Sequence, residues 1–287
     1  MKEKRKKVLF TGGTGFIGRN LLPELKKKYD VNAPTRQELN LKDSEQVKTY
    51  LENGKFDVVI HAAIPNLLSN EEDMKGSVIK DSLKVFMNLY RSRNLFEKML
   101  YFGSGAEYDK TQPIVRAKET DIGIRVPDSD YGLAKYIMNQ LAISSENIYN
   151  LRIFGCYGPT DAEFKLITSA IHSAMKQETL LLHQNCVFDY MYVMDLVPIL
   201  DYFIQNNPRF HDYNVCTGVR TEILEICKNI HKIMGNTKGI KVELPGFNNE
   251  YSGDNSRLKE EITDVQFTPL AEGIMRQINY EKKEWKQ

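Results

Sequence analysis

Thr11-Gly12-Gly13-Thr14-Gly15-Phe16-Ile17-Gly18 decides the fold of this chain. It follows Val8-Leu9-Phe10, an apolar run that reads as a buried strand. It precedes Arg19 to Lys26, where Leu21, Leu22 and Leu25 give a helix one apolar face. Gly12, Gly15 and Gly18 therefore stand in strand–turn–helix context, which turns a common glycine spacing into a dinucleotide site. Without side chains the turn lets a pyrophosphate approach the backbone, and free N–H groups at the helix start point at it. An ordinary glycine-rich βα turn is the alternative.

A second feature agrees. Tyr131-Gly132-Leu133-Ala134-Lys135 opens a helical stretch running to about Ile143, so the phenol and the ammonium share one face a turn apart. A cation there favours the phenolate and is expected to lower the tyrosine pKa. Upstream, Tyr101 to Tyr108 reads as a strand end and a small-residue turn, which could bring Ser104 beside Tyr131 to hold a substrate oxygen. A Tyr and a Lys four apart are common on helix surfaces; the order glycine-rich turn, later Ser, then Tyr/Lys is much more specific.

Strand-like runs alternate with helical stretches through about residue 155: Val8–Phe10, Val31–Ala33, Val58–Ile60, Met99–Phe102 and Tyr149–Ile153. That alternation predicts an α/β fold, a parallel sheet with helices on both faces. Beyond Pro159, residues 164 to 177 read as a helix and Leu180–Leu182 as a strand. Residues 221 to 235 form a helix with Ile223, Ile226, Ile230 and Ile233 on one face. Residues 236 to 257 read as loop with one strand at Ile240–Leu244.

Composition excludes several classes. With 39 Lys+Arg against 38 Asp+Glu in 287 residues, a nucleic-acid or membrane-surface partner has no bulk electrostatic support. The basic start, Lys2 to Lys7, reads as a solvated tail. No run approaches the roughly 18 apolar residues of a membrane span. Cys156, Cys186, Cys216 and Cys227 show no paired ligand spacing, so they read as reduced thiols of a cytoplasmic protein with no metal site.

At this point the chain resembles the extended short-chain dehydrogenase/reductases, the sugar-nucleotide epimerase/dehydratase/reductase group, over nearly its whole length. Phe56 to Ala63 is similar to the family's third strand and H-A-A turn. Leu151 to Pro159 is similar to its L-R-x-F-N-x-Y-G-P segment, and Tyr213 to Gly218 to its N-x-G-x-G strand. Asp189 to Leu196 is similar to its R-D-F-V-H/Y-V-D-D-L segment without the leading Arg. Thr35 to Leu41 is closest to the GDP-fucose synthase branch. The resemblance implies a Rossmann-type doubly wound parallel sheet with a small C-terminal substrate-binding lobe. Residues 1–159 would bind NADP, with about 186–218 returning to complete the sheet, and 160–185 and 219–287 would build the lobe. It implies Ser104, Tyr131 and Lys135 as catalytic, and a homodimer. It also implies Gly12, Thr14, Gly15, Phe16, Ile17, Gly18, Arg36, Asn40, Leu41, Ala62, Ala63, Lys135 and Phe154 around the cofactor, with Asn40 and Leu41 flanking the adenine. Ser104, Gly105, Ala106, Gly155, Lys165, Phe188 and Arg220 would meet the substrate.

NAD sites usually place Asp or Glu at the end of the second strand, on the ribose 2′-hydroxyl. Here Ala33-Pro34-Thr35-Arg36 stands there, and a guanidinium suits a 2′-phosphate, so NADP is favoured over NAD. Dehydratases of the family carry an acid pair just after the Ser/Thr; those places here are Gly105 and Ala106, which move no proton. GDP-fucose synthases epimerise with a Cys and a His, at positions held here by Ala106 and Lys165. Glu107 is nearby, but strand–turn geometry is expected to aim it elsewhere. What remains is hydride transfer at one carbon: an NADPH-dependent reductase of a 4-keto sugar nucleotide. The alternatives are an NAD(P)-dependent C4 epimerase and, from another class, a non-catalytic NADP-sensing protein, which would typically lack the Tyr/Lys pair. Phe188 replaces the diphosphate-gripping Arg and Gly155 the Asn, and no Arg stands in 247–250; Arg220, Arg257 or Lys165 could substitute.

Overall fold

The computed structural model describes residues 5–64 and 77–285, so the first part of the basic start lies outside it. In chain order the first half runs β1 (Lys7–Thr11), α1 (Phe16–Lys28), β2 (Asp30–Asn32), α2 (Ser44–Gly54), β3 (Val58–His61), α3 (Ser77–Arg91), β4 (Lys98–Ser104), β5 (Ile114–Ala117), α4 (Asp130–Ile143) and β6 (Ile148–Ile153). The second half runs β7 (Gly155–Tyr157), α5 (Leu166–Met175), β8 (Leu180–Asn185), β9 (Val187–Phe188), β10 (Tyr190–Tyr192), α6 (Leu196–Gln205), β11 (Asp212–Val215), β12 (Thr221–Glu222), α7 (Ile223–Met234), β13 (Ile240–Phe247), β14 (Tyr251–Gly253), α8 (Ser256–Glu261) and α9 (Leu270–Glu284).

Six strands form one sheet in the order β11-β6-β4-β3-β1-β2, every pair parallel. This is the parallel sheet that the alternating pattern predicts, in the Rossmann-type, doubly wound form that the family resemblance implies. Central parallel strands are covered on both faces, so they need unbroken apolar runs. Val8, Leu9 and Phe10 are accordingly fully buried, as are Val58, Val59 and Ile60. Each such side chain contributes about 1.5–3 kcal/mol over its exposed state. On one face Leu21 and Leu25 of α1 pack with Leu196, Ile199 and Phe203 of α6. On the other, Val47 and Leu51 of α2 pack with Phe86 and Leu89 of α3 and Met138 and Ala142 of α4. The chain leaves β1 for β2 on one side and β3 on the other, so the order reverses between β1 and β3. Ligands of open α/β sheets bind outside the carboxyl ends of the strands at such a point.

A second, smaller layer joins α5, α7 and α9 around Ile171, Ile226, Ile230, Ile274 and Ile278. Its small sheets are β13-β8, β10-β7 and β12-β9-β14-β5. Here the structure corrects several expectations. Of the stretch read as returning to the sheet, only β11 joins it. Residues 187–192 pair instead with β7, β12 and β14, because the peptide of Asp189 is held by Gly155 N–H (3.0 Å) and by the Tyr251 carbonyl (3.1 Å). The helix expected from residue 164 starts at Leu166, leaving Phe164 exposed. Strand β2 lies one residue earlier than Val31–Ala33, since Pro34 follows and has no N–H for a ladder. In α7, Ile233 is exposed and Cys227 completes the buried face. The 236–257 stretch holds two strands: β13 runs on to Phe247 alongside β8, and β14 inserts between β9 and β5. All four cysteines are free. Among the described residues no helix is long and apolar enough to cross a membrane.

Candidate active site

The glycine-rich turn sits at the switch point. Gly12 has φ +80°, and a Cβ there would stand 2.6 Å from the Ala63 nitrogen and 2.7 Å from the Ala62 carbonyl carbon. Only glycine lets β1 and β3 end so close together. Gly18 packs the first turn of α1 on the Gly12 carbonyl, where a Cβ would come within 2.5 Å. Gly15 is the N-cap residue and supplies no side-chain cap, and the first turn carries no acid. The N–H groups of Phe16, Ile17 and Gly18 are thus open to an anion, the fit a pyrophosphate needs. Thr14 is exposed beside them, while Phe16 and Ile17 turn partly into the core. Under the turn, Thr11 Oγ1 and His61 Nδ1 are 2.8 Å apart, and burial, with the charge of Lys135, pushes the His61 ring down to about 3. That ring is neutral at physiological pH.

At the end of β2, Arg36 is exposed. The nearby acid, Glu38, accepts the Thr35 N–H at 2.7 Å, which holds its carboxyl below the usual range. Asn40 donates its N–H to Gln46 Oε1 at 2.5 Å and is exposed. Leu41 packs against the second core, its carbonyl accepting Asn88 Nδ2 at 2.8 Å.

The reaction centre gathers from three elements. Ser104 ends β4; its Oγ accepts the Ala106 N–H at 3.2 Å. Tyr131 and Lys135 lie on the first turns of α4, which Ser129 caps by accepting the Gly132 N–H at 3.1 Å. Lys135 Nζ donates to the Phe102 carbonyl at 2.6 Å and lies 5.9 Å from the centre of the Tyr131 ring. The structure thus brings Ser104, Tyr131 and Lys135 together. It also corrects the electrostatic expectation: the Tyr131 phenol is raised, chiefly by burial, with the Ser104 hydrogen bond pulling it back and the charge of Glu107 raising it again. Burial also pushes the Lys135 ammonium down to about 8, against an upward pull from Glu107. Its hydrogen bond is directed at a main-chain carbonyl rather than at the phenol.

Beneath the centre lies a charged network that local pattern reading missed. Glu107 is fully buried. Its Oε1 accepts the Ser104 N–H at 3.0 Å and its Oε2 accepts Arg152 Nε at 2.7 Å. Arg152, also fully buried, donates further to Asp212 Oδ2 (3.0 Å) and Asn214 Oδ1 (3.1 Å). Burial works against its charge, but Glu107, Tyr108 and Asp212 hold its pKa well above the ordinary value. Glu107 therefore faces inward, away from the centre. Ser104-Gly105-Ala106-Glu107 has the S-x-x-E spacing of a capping box, a signal that could have found the Ser104–Glu107 pair.

The residues expected at the substrate divide. Gly105 and Ala106 are buried beside Ser104, and so is Phe154, expected at the cofactor, its ring stacked near Tyr108 at 6.0 Å and tilted to Tyr251 at 5.2 Å between ring centres. Gly155 is packed closely: a Cβ there would stand 2.5 Å from the Asp189 carbonyl oxygen. Arg220 is held by Glu250, Nε to Oε1 at 2.6 Å and Nη2 to Oε2 at 2.5 Å. Arg257 pairs with Asp212 Oδ1 at 2.5 Å, so neither arginine is a free anion ligand. Lys165 is exposed at the N-cap of α5, and its charge, after burial, depresses the Lys110 ammonium. Phe188 stacks on Tyr190 at 5.4 Å and, with Lys110, Tyr251, Leu166 and Ile223, lines a cavity of about 280 Å³. Sequence reasoning did not find Tyr251 or Lys110; both come to the site through pairing of distant segments. Among the described residues no cluster of three His, Cys, Asp or Glu side chains could hold a metal.

A nucleotide cradle at the switch point, feeding a serine, a tyrosine and a lysine at the ends of β4 and α4, defines an NAD(P)-dependent oxidoreductase of the extended short-chain type. Over residues 8–216 the sequence matches the model of the NAD dependent epimerase/dehydratase family, and the chain belongs to that family. It is 27% identical over 258 residues to a GDP-L-colitose synthase from Yersinia pseudotuberculosis, covering 80% of this chain and 82% of the relative. In structure it is similar to a GDP-mannoheptose C4 reductase from Campylobacter jejuni with NADP bound (TM-score 0.85, 18% identity, 98% of this chain and 100% of that one). It is equally similar to a UDP-glucose 4-epimerase from Thermotoga maritima (TM-score 0.84, 21% identity, 97% and 99%).

Proposed function

We propose that this enzyme is an NADPH-dependent reductase of a 4-keto sugar nucleotide. One observation carries the reading. Gly105 and Ala106, beside the Ser104 hydroxyl, have no group that moves a proton, and the nearest carboxylate, Glu107, is buried on Arg152. Hydride addition to a carbonyl needs one proton donor at oxygen and no base at the neighbouring carbons. Elimination or epimerisation beside the ketone would need such a base. The names of the synthase and the C4 reductase similar to this chain support a nucleotide sugar. The exposed guanidinium of Arg36, with Glu38 turned to Thr35, supports a 2′-phosphate. The open cradle at the start of α1 fits the pyrophosphate.

When bound, the dihydronicotinamide supplies the hydride. Ser104 holds the carbonyl oxygen by a hydrogen bond. As the C–H bond forms and the C=O π bond breaks, Tyr131 gives its proton to that oxygen. Lys135, an ammonium beside the phenol, stabilises the phenolate left behind. Residues 160–185 and 219–287, which supply Leu166, Ile223 and Tyr251 to the cavity, would hold the nucleotide end of the substrate.

The test is turnover of 4-keto-6-deoxy sugar nucleotides with NADPH in deuterated water. One NADPH consumed per product, with C3 and C5 exchanging no faster than the uncatalysed ketone, is the expected result. Interconversion of two alcohols without net NADPH use would make the protein a C4 epimerase. Enzyme-accelerated deuterium uptake at C3 or C5 would point to an acid or base such as Lys165.

A further inference from the structure

Tyr251 enters the active centre from the smaller layer. Strand β14 is clamped between Ile114 of β5 and Phe188 of β9, and the Tyr251 carbonyl accepts the Asp189 N–H at 3.1 Å. Its ring lies between Phe154 and Phe188, each 5.2 Å away, with Lys110 Nζ 4.9 Å from its centre. Only 7% of the residue is exposed. One edge of the ring borders the cavity beside Phe188, and its hydroxyl reaches the reaction centre.

That hydroxyl is 3.5 Å from Ser104 Oγ, the outer limit of a hydrogen bond. Its other hydrogen-bond partner is the Ala106 backbone. Gly105 makes room for it: a Cβ at that position would stand 2.6 Å from the Tyr251 oxygen. The phenol therefore takes the space that any side chain at position 105 would need. Ser104 Oγ and Tyr251 Oη stand as two neighbouring hydroxyls, close enough to converge on one acceptor placed against Tyr131, toward which Ser104 would turn the proton it now shares with the two phenols.

We propose that Tyr251 is a further catalytic residue, which together with Ser104 clamps the carbonyl oxygen as it gains charge during hydride transfer. This rests on the reductase reading above. Tyr131 still supplies the proton; Tyr251 keeps its own and donates a hydrogen bond. Burial raises its pKa, which suits a group that donates without ionising. Its rigid ring packing means that no reorganisation is needed as the negative charge appears, and such preorganised donors carry much of the stabilisation of developing oxyanions.

The test is steady-state kinetics of Tyr251→Phe beside the parent and Tyr131→Phe, on a 4-keto sugar nucleotide. The expected result for Tyr251→Phe is a fall in kcat of about a hundredfold, the scale of losing one oxyanion donor. KM should change less than threefold, because the contact strengthens in the transition state. NADPH affinity and melting temperature should match the parent. An unchanged kcat in Tyr251→Phe, with Tyr131→Phe inactive, overturns this proposal and leaves the reductase reading standing. So does a raised KM at constant kcat, which would make Tyr251 a sugar-binding group only. Full activity in Tyr131→Phe, or a parent that reduces no 4-keto sugar nucleotide, removes both.

Discussion

Arg152 Nε donates to Glu107 Oε2 across 2.7 Å, and neither side chain is exposed to solvent. The pair sits directly below the reaction centre, since the same carboxylate accepts the Ser104 N–H through its other oxygen. Two ions without water are tolerated only because every charge has several partners: Asn150 Nδ2 also donates to Glu107, and Asp212 and Asn214 accept from Arg152. The charge of Glu107 reaches upward as well, raising the pKa of Tyr131 and drawing that of Lys135 up against its burial.

Removing one partner should therefore be severe. Arg152→Met leaves Glu107 buried without its cation, and breaking a buried pair in this way costs about 3–5 kcal/mol. Urea unfolding of the variant should show a midpoint lowered accordingly. A midpoint equal to the parent's would mean that Glu107 is neutral in the folded chain and that the network is not ionic.

The cofactor prediction turns on Arg36. If its guanidinium meets a 2′-phosphate, fluorescence titration should give NADPH at least about tenfold tighter than NADH, the scale of one charge-assisted contact. Arg36→Ala should erase most of that difference and leave NADH affinity nearly unchanged. Equal affinities in the parent would return the role at β2 to Glu38, released from Thr35.

The parts of this fold that were legible in the sequence are those fixed by local pattern. Val8 to Gly18 carries a strand, a turn and a helix start within a dozen residues, and the structure places the turn at the switch point. Tyr131 and Lys135 were legible because a helix sets their spacing. The electrostatics were not. The expected effect of Lys135 on Tyr131 ignored burial, which raises the phenol, and the Phe102 carbonyl, which takes the lysine's hydrogen bond. Nor was the pairing in the smaller layer legible. Strand β14 is three residues long, and it reaches Ser104, 147 residues earlier in the chain, only because β5 and β9 flank it. The same holds for Arg220 and Arg257, whose availability as anion ligands depended on where Glu250 and Asp212 fell.

Tyr131→Phe removes the proposed proton donor while keeping the ring, so turnover should fall about a hundredfold or more with cofactor affinity little changed. Lys135→Met should depress turnover too. Its ammonium, held down to about 8 in the free chain, should also make activity sensitive to alkaline pH. Turnover in the parent should fall as pH rises through that region if the charged form is required. A flat profile up to pH 10 would show that the bound state restores the lysine's ordinary pKa.

His61 gives a prediction about stability rather than rate. The ring is buried beneath the glycine-rich turn and bonded to Thr11, and desolvation carries it from an ordinary 6.5 down to about 3. Between those two values the unfolded chain binds a proton that the folded chain refuses, so stability rises with pH across the window and is lost as pH falls through it. One such group imposes a slope of at most about 1.4 kcal/mol per pH unit. Asp161 works in the opposite sense: burial raises its carboxyl to about 6, so the folded chain holds a proton that the unfolded chain has lost. Comparing variants isolates the histidine. His61→Gln keeps a polar partner for Thr11 and removes the titration. Its stability, measured by urea unfolding at several pH values between 4 and 7, should decline less steeply toward acid than the parent's. In the parent, the His61 ring signals in NMR should stay those of the neutral form down to about pH 4. Protonation near 6.5 would show that water reaches the ring and that the floor of the cradle is open.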